Sequence, residues 1–231
     1  MPTAILVSHG QPSAPEAPEA ALAALARDVA AELPEWDIRS ATLSTPGRLE
    51  DVARDGAMVF PFFMASGWFT TKVLPRRLGE TKTRILQPFG LDPNLPALAA
   101  DAVRDVIAQQ SWSVADVSVL LAAHGSARGP HAAAAAFSFA KALSAALPGP
   151  RINCGFVEQA PRIRDAAAPL PGQSLCLPFF AQAGDHVRDD VPEALGQAAF
   201  QGIPLPVVGA LPGVATLIAQ GLRSARSDSS S

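Results

Sequence analysis

Short apolar runs bounded by turn residues alternate along this chain with longer stretches of helical pattern, and the alternation is run through twice. Residues 3–8, 38–43, 57–63 and 83–87 are too short for helices and read as buried strands. Residues 16–32, 47–54, 71–79 and 94–109 read as the helices between them. The second half repeats the order, with strands at 117–123, 151–157, 174–180 and 205–209 and helices at 131–146, 161–168, 187–199 and 212–224. Strands that alternate with helices in this way predict parallel sheets covered on both faces.

The two halves also share their residues. Ala4-Ile5-Leu6-Val7-Ser8-His9-Gly10-Gln11 recurs as Val119-Leu120-Leu121-Ala122-Ala123-His124-Gly125-Ser126, and Pro61-Phe62-Phe63 recurs as Pro178-Phe179-Phe180. Leu43 to Glu50 lines up with Val157 to Arg164, and Gly67 with Gly184. A near-constant spacing between matching segments is the mark of an internal duplication. The predicted fold class is therefore α/β, with two duplicated parallel-sheet units of Rossmann-like or flavodoxin-like form facing across a cleft. The expected division is 1–112 for the first unit and 113–223 for the second. The small polar residues 224–231 are expected to form a disordered tail.

Composition narrows the function classes. With 48% hydrophobic and 17% charged residues and a formal charge of −3, the chain reads as a globular protein with no basic patch for nucleic acid. Met1 to Leu6 lacks the charged start of a secretory signal, and no stretch has the apolar length of a membrane span, so a cytoplasmic location is expected. Cys154 and Cys176 lie in apolar runs and read as reduced core thiols.

The copies differ at polar positions. His9 pairs with His124, but Ser44 pairs with Glu158 and Phe69 with His186, so only the second copy carries three candidate metal ligands. His124 should stand where a strand becomes a loop, and Glu158 ends an apolar strand. His186 should start a helix after Gly184, which is expected to permit a tight turn, while Asp185, Asp189 and Asp190 suit the positive end of that helix. Imidazole and carboxylate suit borderline divalent ions, and three protein ligands leave coordination positions open for a metal in transit. Alone, His9 reads as a strand-end residue and His131 as a helix-start residue.

These motifs resemble a known family. The strand ending in His124-Gly125-Ser126, the segment Gly155-Phe156-Val157-Glu158, and Leu177-Pro178-Phe179-Phe180 running to Gly184-Asp185-His186 and Asp190-Val191-Pro192 are similar to the class II, ATP-independent sirohydrochlorin chelatases in their two-half form. The resemblance implies a chelatase-type fold and insertion of Co²⁺ or Fe²⁺ into sirohydrochlorin, in cobalamin or sirohaem synthesis. It implies His124, Glu158 and His186 as catalytic and metal-binding residues, and no cofactor beyond the divalent metal substrate. Ser126, Arg128, Phe180 and Arg188 are the candidate substrate-binding residues. Sirohydrochlorin is rich in carboxylates, so Arg128, Arg162 and Arg188, with Lys72, Arg76 and Arg77 in the first half, are expected to supply positive charge. The expected partners are the tetrapyrrole and the metal, with neither nucleic acid nor membrane, and the expected state is a monomer. Two other functions use the same residues: a metal or tetrapyrrole carrier, and a histidine phosphatase. The phosphatase chemistry wants arginine before the strand-end histidine, where this chain has Ser8 and Ala123.

Overall fold

The computed structural model describes residues 1–126 and 129–228. Each repeat forms one four-stranded parallel sheet. The first holds β1 (Thr3–Ser8), β2 (Asp37–Thr42), β3 (Met58–Pro61) and β4 (Arg84–Ile85) in the order β2-β1-β3-β4. The second holds β5 (Ser118–Ala123), β6 (Arg151–Phe156), β7 (Ser174–Phe179) and β8 (Ile203–Pro204) in the order β6-β5-β7-β8. The helices are α1 (Glu16–Glu32), α2 (Arg48–Val52), α3 (Leu74–Leu78), α4 (Leu95–Gln109), α5 (His131–Ala146), α6 (Ile163–Ala167), α7 (Val191–Gln197) and α8 (Val214–Ser227).

The long helices α1 and α5 keep the bounds their pattern predicts, because a full amphipathic stretch fixes its own ends. The short elements differ more. Each predicted helix after the third strand starts as a π-helical turn, Phe69–Val73 or His186–Asp190, before becoming α-helical. The strand predicted at 205–209 is instead the two-residue β8 followed by a 3₁₀ turn at Val208–Ala210. Val207 and Val208 are buried there without belonging to a strand, so the apolar run reported burial and not pairing. Ser224 to Ser227 continue α8, which corrects the expectation of a disordered tail from 224; residues 229–231 lie outside the described residues.

Parallel strands with helices on both faces must be apolar on both faces, and β5 and β7 are buried along their whole length. One face of each sheet carries the same packing cluster. In the first repeat, Ile5 and Val7 of β1 pack with Leu49, Val59 and Leu74. In the second, the matching positions are Leu120 and Ala122 of β5 with Ile163, Cys176 and Val191. Burial pushes the Cys176 thiol up to about 12 and the half-buried Cys154 thiol up to about 11, and both cysteines are free.

The chain divides into two compact units, Met1–Asp92 with Gly213–Ser231, and Pro93–Pro212. This differs from the division at 112 because the helix that ends each repeat in sequence packs in the other unit. Within the first unit α8 lies on α1, where the Arg223 guanidinium donates to the Glu32 carbonyl at 2.6 Å. Arg84 reaches the Ala225 carbonyl at 2.6 Å, and the Arg226 guanidinium lies 5.7 Å from the Trp36 ring centre. Within the second unit α4 lies on α5, and Arg104 donates to the Ala146 carbonyl.

Two side-chain details make this packing testable. Ser8 is buried and among the described residues its Oγ has no hydrogen-bond partner, whereas the second repeat has Ala123 at the same position. Ser8→Ala should stabilise the protein by about 1 kcal/mol by removing an unsatisfied buried hydroxyl, and denaturant unfolding checks this. A Cβ on Gly209 would meet the Ala181 carbonyl oxygen at 1.9 Å, whereas one on Gly184 would meet nothing within 4 Å among the described residues. Gly209→Ala should therefore cost about 1–3 kcal/mol in the same measurement and Gly184→Ala almost nothing. The turn expected at Gly184 does not depend on glycine, since neither space among the described residues nor a positive φ requires it there.

Candidate active site: a facing histidine pair

In an open parallel sheet the order of strands reverses beside the first strand, and ligands gather beyond the carboxyl ends at that reversal. In the second unit the reversal lies at β5 and β7, and one histidine follows each: His124 directly after Ala123, and His186 in the turn after Phe179. Gly125 bends the chain away from His124 with φ +70°, in the left-handed region that disfavours a side chain. A Cβ there would meet Gln159 Cγ at 2.8 Å and Phe156 Cβ at 3.0 Å. Glycine at 125 is thus required by both backbone and space.

The two imidazoles meet edge to face, with ring centres 4.5 Å apart and planes at 89°. Their Nε2 atoms face each other at 3.0 Å. The opposite nitrogens are both engaged: His124 Nδ1 with the Gly125 carbonyl at 2.9 Å, and His186 Nδ1 with Asp190 Oδ2 at 2.5 Å. A carbonyl and a carboxylate only accept hydrogen bonds, so both Nδ1 atoms carry hydrogen, and in the neutral form of the two rings both Nε2 lone pairs face the same gap. A cation in that gap removes their repulsion. With metal–nitrogen bonds of about 2.1 Å, this separation corresponds to a nitrogen–metal–nitrogen angle of about 90°, the angle between neighbouring ligands of an octahedral ion.

The sequence places Asp190 at a helix start and within the motif Asp190-Val191-Pro192, and assigns it no role beside His186. Its role beside His186 was signalled by the spacing, because residues four apart lie on one helical face. Such carboxylate–histidine pairs fix the orientation and tautomer of the ring. Gln159 was also missed; its Oε1 accepts from the Ser126 N–H at 2.9 Å and so ties down the loop after His124.

The remaining sequence candidates fall in different places. Glu158 is joined to His124 through the backbone, its N–H donating to the His124 carbonyl at 2.9 Å, while its side chain is exposed. Among the described residues no group of three His, Cys, Asp or Glu side chains is placed to hold a metal, so the structure assembles the two histidines and leaves Glu158 apart. Phe180 is half-buried against the core cluster of the second unit. Arg188 is exposed and reaches Asp185 at 3.2 Å, and Arg162 donates to the Val157 carbonyl. Arg128 lies outside the described residues. Behind Asp190, a cavity of about 330 Å³ is lined by Phe156, Arg162, Arg164, Glu193 and Gln197 among others.

The first unit keeps the frame of this site without its chemistry. His9 Nδ1 meets the Gly10 carbonyl at 2.8 Å, and Gly10 has φ +72°. Phe69 stands where the second unit has His186, its ring 4.3 Å from that of His9 with planes at 79°. Ser44, the counterpart of Glu158, lies beside a closed polar network in which Glu19 Oε2 accepts from the Thr42 N–H at 2.9 Å, Thr42 Oγ1 at 2.8 Å and Thr45 Oγ1 at 3.1 Å. Arg77 is taken up by Glu50 at 2.6 Å and by the Leu43 carbonyl at 2.7 Å, which holds the Glu50 carboxyl below its ordinary range.

A repeated parallel α/β unit that carries a histidine pair past the carboxyl ends of its strands defines a chelatase-type protein. The CbiX family profile matches residues 118–225. A structure of CbiX, described as the terminal enzyme of sirohaem biosynthesis in denitrifying bacteria, is 44% identical over 96% of this chain and 99% of its own, with a TM-score of 0.90. The chain belongs to the CbiX family. A probable sirohydrochlorin cobaltochelatase of Halobacterium salinarum is 24% identical over 171 residues, which span 63% of this chain and 59% of that protein. SirB from Bacillus subtilis, solved with Fe³⁺, shares the fold at 16% identity with a TM-score of 0.73. Among the described residues no helix is long and apolar enough to cross a membrane.

The link from Asp190 to His186 generates a direct test. Asp190→Ala should weaken Co²⁺ binding by about 10- to 100-fold with little change in fold, read from the visible absorbance of bound Co²⁺ and from circular dichroism. Unchanged Co²⁺ affinity would show that Asp190 does not orient the ligand.

Proposed function

We propose that this protein inserts a divalent metal into sirohydrochlorin, with the His124–His186 pair receiving the metal. The observation that carries the reading is the pair of Nε2 atoms facing at 3.0 Å, each ring held in the metal-binding tautomer by an acceptor on its other nitrogen. Two protein ligands leave most of the coordination shell to water, so the ion is held firmly enough to be positioned and loosely enough to be given up. Imidazole nitrogens also accept the pyrrole protons that leave as the metal enters the ring.

Glu158 serves in this reading as the acidic partner of the pair, joined to it by the backbone bond to His124. Its exposed carboxylate helps to draw the cation or to take a proton. Ser126, Phe180 and Arg188 contribute to the tetrapyrrole side. The described relationship to a sirohaem-forming enzyme at 44% identity favours Fe²⁺, and the more distant archaeal relative is named for cobalt. The reaction runs in the cytoplasm, without any cofactor besides the metal substrate, in a monomer.

An anaerobic absorbance assay with sirohydrochlorin and, in separate reactions, Fe²⁺ and Co²⁺ tests the reading. His124→Ala and His186→Ala should each lower the enzymatic rate by at least about 100-fold, the usual scale for losing a positioned acid–base or ligand group. His9→Ala should keep most of the rate. Wild-type protein that binds both substrates stoichiometrically without accelerating insertion would make it a carrier.

A further inference from the structure

The turn after the third strand aligns residue for residue between the repeats. Gly67-Trp68-Phe69-Thr70-Thr71-Lys72-Val73-Leu74-Pro75-Arg76 matches Gly184-Asp185-His186-Val187-Arg188-Asp189-Asp190-Val191-Pro192-Glu193. The backbone is the same in both, a π-helical turn running into a short α-helix with proline in its first turn. The side chains are of opposite character. Where the second unit has Asp185, Asp189, Asp190 and Glu193, the first has Trp68, Lys72, Val73 and Arg76.

The first unit's turn therefore has no carboxylate and two cations, both exposed and neither in an ion pair among the described residues. Arg77 beside them is different, since Glu50 already holds it. Trp68 is 66% exposed, the largest side chain among the exposed apolar residues, and it is not isolated. Its ring meets Phe69 edge-on at 5.1 Å, Phe69 lies nearly parallel to Phe63 at 6.4 Å, and His9 closes the group from the other side. A shelf of aromatic rings flanked by free cations suits a flat anion, because the rings take its face and the cations its carboxylates.

We propose that this degenerate copy of the turn is the docking surface for the tetrapyrrole, with Trp68 against the macrocycle face and Lys72 and Arg76 on its peripheral carboxylates. The acidic copy in the second unit draws the divalent cation. The two copies thus divide the two substrates by charge, one backbone motif serving both. The inference rests on the chelatase reading above, which supplies the flat, carboxylate-rich ligand, and it assigns a binding role to residues outside the histidine pair.

Equilibrium binding of metal-free sirohydrochlorin to the full-length chain tests it, with Co²⁺ binding measured on the same proteins. Trp68→Ala should raise the Kd for the tetrapyrrole about fivefold while Trp68→Phe stays within about twofold, as loss and retention of a stacked ring require. The double variant Lys72→Glu/Arg76→Glu should raise it about tenfold or more and flatten its dependence on salt. Both should bind Co²⁺ as the wild type does. His186→Ala should show the reverse, with Co²⁺ affinity lost and tetrapyrrole affinity kept. Wild-type tetrapyrrole affinity in Trp68→Ala and in the double variant overturns the docking surface and leaves the chelatase reading intact provided the wild type inserts metal. A wild-type chain that binds no sirohydrochlorin overturns both.

Discussion

Two imidazole nitrogens that face one another 3.0 Å apart set the constraint on which the second unit is organised. Between neutral rings that contact is repulsive unless a proton or a metal ion lies in it, and each ring is tied from behind. The Gly125 carbonyl fixes one ring and the Asp190 carboxylate the other. The first tie needs the left-handed bend at Gly125, which only glycine fits, and the second needs the π-helical turn that carries His186 and Asp190 together. The sheet supplies the common base, since β5 and β7 are hydrogen-bonded neighbours that bring the loops after Ala123 and Phe179 side by side. The pairing is a property of strand order as much as of the residues at the tips.

The first unit shows what happens when that constraint is lifted. Its histidine, its glycine bend and its π-helical turn are all retained, and Phe69 packs against His9 with nearly the geometry that His186 adopts against His124. A phenyl ring satisfies the packing without the electrostatics. The polar residues nearby turn inward on Glu19, which binds three donors with one oxygen and leaves the loop closed. Backbone and burial have therefore been maintained while ligand chemistry diverged, as separate energetic roles permit.

The duplication, the parallel α/β class and the long helices were legible in the sequence because each rests on repeated or periodic hydrophobic positions. The histidine pair was legible only as two ligands with a plausible location, since His124 and His186 are far apart in the chain and nothing local says that they touch. Asp190 was visible in the spacing and passed over, because an acid near a helix start has a simpler explanation in the helix dipole. The two-residue β8 and the fate of Arg77 were not legible. The first depends on pairing with Leu175 and Cys176, the second on Glu50, twenty-seven residues earlier in the chain. The exchange of α4 and α8 was invisible for a different reason: an amphipathic helix states that it has a partner and not which sheet provides it.

That exchange bears on why the two copies remain joined in one chain. The unit with the histidine pair is completed by α4, which the first repeat encodes, and α8 from the end of the second repeat is spent on the first unit. Neither repeat can be discarded without stripping a helix from the other. Surface residues of either copy are thus free to differ, while removal of a repeat would take a packed helix from the other unit, so interlocking by itself ties the two repeats into one chain.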